Sequence, residues 1–253
     1  MTRVLVTGGT GMLGRRLAPL LVERGHDVRV LSRHAATNSA GVQSLVGDVR
    51  TGEGLAPAVR GVDTVIHAAT NPRRSVKRTE VSGVRHVLDA IGRAGTHLVY
   101  VSIVGVDRNR FPYYKAKWAA EQVVEASAAQ WTIQRATQFH ELLDMFLSYP
   151  AFIKTPNLAF QVVDVGEVAT RLADLVEAGP SGRAPDFGGP EVVPVSDLAA
   201  ARREITGRRA RLVRTPRVGF VRDFDNGYHL CPDHRSGRVT WTEWLHSAAG
   251  ARP

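Results

Sequence analysis

The 253-residue sequence predicts an α/β protein with a doubly wound parallel sheet and a smaller C-terminal part. Three observations carry this. Through the first 135 residues, short β-branched runs alternate with longer amphipathic ones. A glycine-rich turn joins the first strand to the first helix. After residue 136 the alternation gives way to segments broken by prolines from Pro150 to Pro232.

The strand-like runs are "RVLVT" (3–7), "DVRVLS" (27–32), "QSLVGD" (43–48), "DTVIHAA" (63–69), "HLVYVS" (97–102) and "WTIQR" (131–135). Their length and β-branched content suit strands. Between them, "MLGRRLAPLLVERG" (12–25) carries Leu13, Leu17, Leu20, Leu21 and Arg24 at a 3.6-residue period, up to a terminal Gly25. "TEVSGVRHVLDAIGRAG" (79–95) and "PYYKAKWAAEQVVEAS" (112–127) read as helices in the same way. In the C-terminal part, helices are expected over 165–178 and 195–207, the second capped by Ser196. Trp241 and Trp244 read as core aromatics anchoring a final helix, and His67 as a core group of a buried strand.

Composition narrows the function classes. The formal net charge is +9, and residues 201–217 hold seven arginines against one acid. No aromatic there would stack a base, so a solvated basic face is favoured over nucleic-acid binding. The single cysteine, Cys231, excludes an internal disulfide and a thiolate cluster. No HExxH, CxxC or carboxylate cluster points to a metal, and no GxSxG to a serine hydrolase. The apolar run at the start is too short for a leader, and no stretch approaches the roughly 20 residues of a membrane span. A cytoplasmic protein without membrane attachment is expected. A homodimer is compatible with the sequence, which leaves the oligomeric state open.

The chemistry concentrates in two places. In "VLVTGGTGMLGRRL" a strand ends, turns through Gly8, Gly11 and Gly14, and enters a helix. Small residues let the backbone approach a pyrophosphate, whose charge sits at the positive end of the helix. The glycines give GxxGxxG rather than the GxGxxG fingerprint, but at the first strand-to-helix junction they point to a Rossmann-type dinucleotide site over residues 1–136. Its binding stretch runs through Thr7, Gly8, Thr10, Gly11, Met12 and Leu13; a merely structural tight turn is the alternative. The second strand ends in Ser32, Arg33 and His34 rather than a carboxylate. Arg33 would meet a 2′-phosphate, with Arg15 or Arg16 assisting, so NADP(H) is favoured over NAD(H). Asp48, followed by Val49, is placed to accept from the adenine amino group; an N-cap or turn role is its alternative. Ala68, Ala69 and Thr70 are small, as a chain passing beneath the ribose requires.

The second place is "FPYYKAKWAAE" (111–121). Tyr113 and Lys117 lie four residues apart, so a helix brings phenol and ammonium to one face. A phenol with an ordinary pKa near 10 is a poor base at neutral pH until a nearby cation lowers it.

With TGGTGMLG at the start, GDV at 47–49, HAAT at 67–70, VSIVG at 101–105 and YYKAK at 113–117, the chain resembles the short-chain dehydrogenase/reductase superfamily. More narrowly, it resembles its atypical, NmrA-like branch of NAD(P)H-binding proteins. The resemblance implies that Ser102 holds a substrate carbonyl, Tyr113 gives or takes the proton, and Lys117 holds the nicotinamide ribose. Tyr114, Gln138, Phe139 and His140 become candidate substrate neighbours, and residues 137–253 a substrate-binding part packed on the core, with the chain returning to the sheet. Three departures accompany it: only ten residues separate Ser102 from Tyr113, the helix before the fifth strand lacks an asparagine, and Arg135-Ala136 stands where extended members read Arg-Pro. The leading reading is an NADPH-dependent oxidoreductase acting on a small carbonyl, quinone or enone. A non-catalytic NADP(H)-binding redox sensor is the alternative, and a nucleotide-sugar epimerase or dehydratase a third.

Overall fold

The computed structural model describes residues 1–34, 41–71, 78–92 and 95–250. The chain runs β1 (Arg3–Thr7), α1 (Gly14–Glu23), β2 (Asp27–Ser32), β3 (Val42–Val46), α2 (Leu55–Ala58) and β4 (Thr64–His67). A π-helical turn (Arg78–Ser82) leads into α3 (Gly83–Ile91), then β5 (His97–Ile103), α4 (Pro112–Glu125), β6 (Gln130–Ala136), α5 (His140–Leu147), β7 (Phe152–Lys154) and β8 (Ala159–Phe160). The remainder is α6 (Val165–Ala178), β9 (Gly182–Arg183), β10 (Val193–Pro194), α7 (Val195–Thr206), β11 (Leu212–Arg214), α8 (Gly219–Asp225) and α9 (Trp241–Gly250). The helix expected over 79–95 runs at its end into residues 93 and 94, outside the described residues.

The main sheet has the order β3-β2-β1-β4-β5-β6-β9. β1 pairs in parallel with both β2 and β4, so the strand order reverses there, where such sheets open a crevice for ligands at the strands' carboxyl ends. The predicted doubly wound sheet is therefore present. Val4, Leu5 and Val6 are fully buried, the near-continuous apolar run of a strand covered on both faces.

By contacts, the chain divides into two compact units. The first comprises Met1–Ser102, Lys115–Gln134 and Val168–Ala184; the second Ile103–Tyr114, Arg135–Glu167 and Pro185–Pro253. The first unit has the sheet at its centre, and its core joins Leu5, Val65, Leu98 and Tyr100 to Val84 and Val87 of α3 and Ala120 and Val124 of α4. The β6–β9 pairing brings residues 182 and 183 onto its edge.

The second unit has its own core, formed by Leu143 and Leu147 of α5, Leu198 of α7, and Trp241 and Leu245 of α9. The Trp241 indole donates to the Leu198 carbonyl at 3.0 Å, so the final helix is anchored as its tryptophans predict. Two sequence expectations change here. Ser196 does not cap α7: the helix begins at Val195, as expected, with its N–H bonded to the Leu158 carbonyl, and the Ser196 hydroxyl, already inside the first turn, turns to Asp197. The arginine-rich stretch is not uniformly solvated either, because Arg202 is buried and paired with Asp144 at 2.6 Å, and Arg208 joins the same carboxylate at 2.8 Å. Among the described residues, no helix is long and apolar enough to cross a membrane.

Candidate functional site

The glycine turn between β1 and α1 is wound too tightly for a side chain at Gly8 or Gly14. Gly8 has φ +74°, and a Cβ there would lie 2.7 Å from the Ala69 Cα, so the turn and the segment after β4 meet backbone to backbone. A Cβ on Gly14 would lie 2.4 Å from the Gly9 Cα. Thr10, Gly11 and Met12 form the exposed tip, while Thr7 and Leu13 are buried at its flanks. Helix α1 opens at Leu13, which has no side-chain oxygen, so no side chain caps the first-turn N–H groups. A tight turn with an uncapped, positive helix end fits a dinucleotide pyrophosphate, and Thr7 to Leu13 are the residues that would hold it. Arg15 is committed to the turn itself: its Nε donates to the Thr10 carbonyl at 2.7 Å.

Arg33 lies exposed just beyond β2. Asp48 lies beyond the end of β3 and makes a turn of its own, its Oδ1 accepting the Arg50 N–H at 2.9 Å and its Oδ2 the Arg50 guanidinium at 2.7 Å. The bond to Arg50 holds this carboxyl below the usual range, with Arg33 adding a smaller electrostatic effect. The turn alternative raised for Asp48 is thus realised in this geometry, and an adenine amino group would share the carboxylate with Arg50. Val49 is buried behind it.

At the carboxyl ends of β4 and β5 the structure assembles a buried polar cluster within the first unit. Helix α4 carries Tyr113 and Lys117 one turn apart, as the spacing predicts. The Lys117 ammonium donates to the Val101 carbonyl at 2.8 Å, lies 3.1 Å from Glu80 Oε2, and sits 4.6 Å above the centre of the Tyr100 ring. Glu80, fully buried, also accepts from the Thr70 hydroxyl at 2.6 Å and the Tyr100 hydroxyl at 3.4 Å. His67 stacks on Tyr100 and shares a 2.7 Å hydrogen bond with Thr7. Burial first, and then the Lys117 charge, push its pKa down to about 3, so the ring is neutral. Ser102, next after Val101, is buried, and its hydroxyl has no partner among the described residues.

Ser102 and Lys117 are therefore held at the end of β5, and Lys117 shares α4 with Tyr113. Sequence reasoning missed Glu80. Its signal was spacing: Glu80, Val84, Val87 and Ile91 fall on one helical stripe, so a carboxylate stands where the pattern calls for an apolar core residue.

Tyr113 belongs to the second unit, as do the remaining candidates. Tyr114 is buried and its hydroxyl accepts from Gln138 Nε2 at 2.7 Å, while burial raises its phenol far above the ordinary range. Phe139 precedes α5, half-buried, in a bridge to Val163. His140 is fully buried, stacked 5.6 Å from Trp244 and 5.9 Å from Trp241, and burial pushes its pKa down to about 4. It packs as a core ring, and its two nitrogens have no hydrogen-bond partner among the described residues. Among the described residues, no group of three or more His, Cys, Asp or Glu could hold a metal.

Comparison with known proteins places this geometry in context. Over 97% of its length the chain is 24% identical to the photosystem II assembly factor Ycf39 of Synechocystis sp., covering 80% of that protein. It is 28% identical to a (4-alkanoyl-5-oxo-2,5-dihydrofuran-3-yl)methyl phosphate reductase of Streptomyces griseus, covering 82% of this chain and 75% of the reductase. A 69-residue stretch is 46% identical to a 3-beta-hydroxysteroid dehydrogenase of Mycolicibacterium neoaurum, of which the match spans only 19%. In fold it is similar to a dTDP-glucose 4,6-dehydratase of Bacillus anthracis solved with NAD, at a TM-score of 0.77 and 14% identity, over 99% of this chain and 96% of that one. A family model described as NAD(P)H-binding matches residues 8–142, from the glycine turn through β6 and into α5. On that match, which takes in more than half of the chain, the protein belongs to the NAD(P)H-binding family, within the short-chain dehydrogenase/reductase superfamily.

Proposed function

We propose that the protein is an NADPH-dependent oxidoreductase that transfers a hydride to a small carbonyl, quinone or enone. The observation that carries this reading is α4, which sets Tyr113 one turn from a Lys117 fixed on the Val101 carbonyl at the end of β5, where the next residue is a buried Ser102 whose hydroxyl has no partner among the described residues. When bound, the nicotinamide cofactor supplies the hydride. The protein's own residues do the rest. Ser102 Oγ hydrogen-bonds the substrate oxygen and Tyr113 delivers a proton to it as negative charge develops. Lys117 holds the ribose and keeps a cation on the phenol's side of the helix. Arg33 binds the 2′-phosphate, and residues 137–253 supply substrate specificity. The relative named as a reductase over most of its length supports this class of reaction.

A second reading, an NADP(H)-binding regulatory protein without turnover, is supported by the likeness over nearly the whole chain to a protein named as an assembly factor. One experiment separates the two. Purified protein is offered NADPH with a panel of ketones, enones and quinones, and turnover is followed by loss of NADPH absorbance. We expect turnover with at least one acceptor, and a fall in kcat of about 10²-fold or more in Tyr113→Phe, the usual magnitude of lost general acid catalysis. A Tyr113→Phe protein as fast as the parent would remove the phenol from the mechanism. Cofactor binding with no turnover of any acceptor would favour the regulatory reading.

A further inference from the structure

Outside the roles assigned above stand the Asp144, Arg202 and Arg208 cluster, the aromatic group of Phe111, Phe220 and Phe224, and the buried carboxylate of Glu80. The first satisfies its own charges, and nothing in the structure shows what would cover the second. Glu80 carries an inference. It is fully buried, and a carboxylate is almost never buried unless paired. Its partner is Lys117, and each oxygen has a further task or partner: Oε1 accepts from the Thr70 hydroxyl, and Oε2 faces both the lysine and the Tyr100 hydroxyl. The backbone around it is a π-helical turn, Arg78–Ser82, an irregularity that helices tend to keep at functional sites.

We propose that Glu80 is the positioning residue of the candidate site, holding the Lys117 ammonium against the Val101 carbonyl beside Ser102. Lys117 has four rotatable bonds and three donors. The Val101 carbonyl takes one donor and the Tyr100 ring bounds one side of the head group, but neither carries a charge. The carboxylate supplies the charge that makes residence in a buried place favourable, and the Thr70 and Tyr100 hydroxyls hold that carboxylate in turn. Thr70 is itself exposed and continues from Ala68 and Ala69, so the chain segment expected beneath the ribose is tied through Glu80 to the lysine expected to hold that ribose. The inference rests on the reading of Lys117 as part of the site.

Glu80→Gln keeps the shape and can still hydrogen-bond Thr70 and Tyr100, so it satisfies a space-filling role but not a charge-holding one. The sequence has four lysines, at 77, 115, 117 and 154, so acetylation can be mapped to each by peptide mass spectrometry. Exposed Lys115, two residues from Lys117, serves as the internal reference. We expect Lys117 to be strongly protected in the parent protein, and that protection to fall about tenfold or more in Glu80→Gln once the partner charge is gone. Turnover should fall about 30-fold or more, a larger loss than that of NADPH affinity read by fluorescence titration, because the ribose contact of Lys117 is loosened while the pyrophosphate contacts are untouched. Unchanged protection of Lys117 overturns the proposal. Lost protection with full turnover leaves Glu80 as the holder of Lys117 but removes that lysine from the proposed chemistry, so the two failures are distinguishable. Should Glu80→Gln not fold, the double variant with Lys117→Met tests the pair by whether it folds. A double variant that melts cooperatively where Glu80→Gln does not supports the pairing, and one that also fails to fold while Lys117→Met alone melts near the parent temperature overturns it.

Discussion

At residue scale, the site depends on charges that the sequence places and that the fold then spends on particular partners. Asp48 ends the strand-like run "LVGD", but in the structure its carboxylate is shared with Arg50, which leaves Arg33 as the exposed cation after β2. If Arg33 binds the 2′-phosphate, Arg33→Ala should weaken NADPH by about 10- to 100-fold, the worth of charge-assisted hydrogen bonds to phosphate, and leave NADH within about threefold. Titration calorimetry with both cofactors checks this, and equal losses for the two would sink the assignment. The Tyr113 to Lys117 spacing was legible without a structure, because a four-residue interval means one helix face whatever lies around it. Glu80 was not, because its partners Thr70, Tyr100 and Lys117 lie 10, 20 and 37 positions away in the chain.

At the scale of elements, the turn between β1 and α1 shows where a glycine is required and where it is merely present. A methyl on Gly14 would run into the backbone of Gly9 and Gly8, at 2.4 and 2.5 Å, and neither can move without unwinding the turn. A methyl on Gly11 would meet only the Gly8 carbonyl oxygen, at 3.1 Å. Gly14→Ala should therefore lose about 1–3 kcal/mol of stability, as overpacked sites do, and Gly11→Ala less than about 1 kcal/mol. Gly11 nevertheless sits at the exposed tip, so its variant should weaken cofactor binding while melting near the parent temperature. Thermal melts with and without NADPH check both; a Gly14→Ala protein of parental stability would contradict the packing described. The pattern of glycines announced the turn, and Gly14 is hemmed in by the turn's own backbone, but the need for glycine at position 8 follows from Ala68 and Ala69 after β4, a neighbour that the local sequence does not contain.

At the scale of the whole molecule, the buried histidines set how the fold responds to acid. Burial pushes His97, His140 and His229 down to about 4, and His67 to about 3, from an ordinary 6.5. The folded protein therefore keeps them neutral, while the unfolded chain takes up protons as the pH falls through 6.5. The unfolded state binds more protons in that window, so stability falls with falling pH, from about 6.5 down to about 4, and further to about 3 for His67. Each histidine contributes up to about 1.4 kcal/mol per pH unit, and the four together up to about 5 kcal/mol per unit. Urea midpoints should be flat between about pH 7 and 8 and drop steeply below about 6.5. A flat profile down to pH 5 would show that these rings are protonated in the fold or exposed in it.

By itself the sequence determined the parallel sheet, the dinucleotide turn and the helix that carries Tyr113 and Lys117, because each is written in local periodicity and glycine placement. It also located the tryptophans that close the second core. Tertiary structure decided the rest: that Asp48 is engaged by Arg50, that Arg202 is buried and paired rather than solvated, that Ser196 lies inside a helix, and that Lys117 is held by Glu80. These are pairings between residues far apart in the chain or choices between competing partners. A single sequence states which groups are available but not which of them meet, and in a buried place the partner, more than the residue type, sets the charge and position on which the chemistry depends.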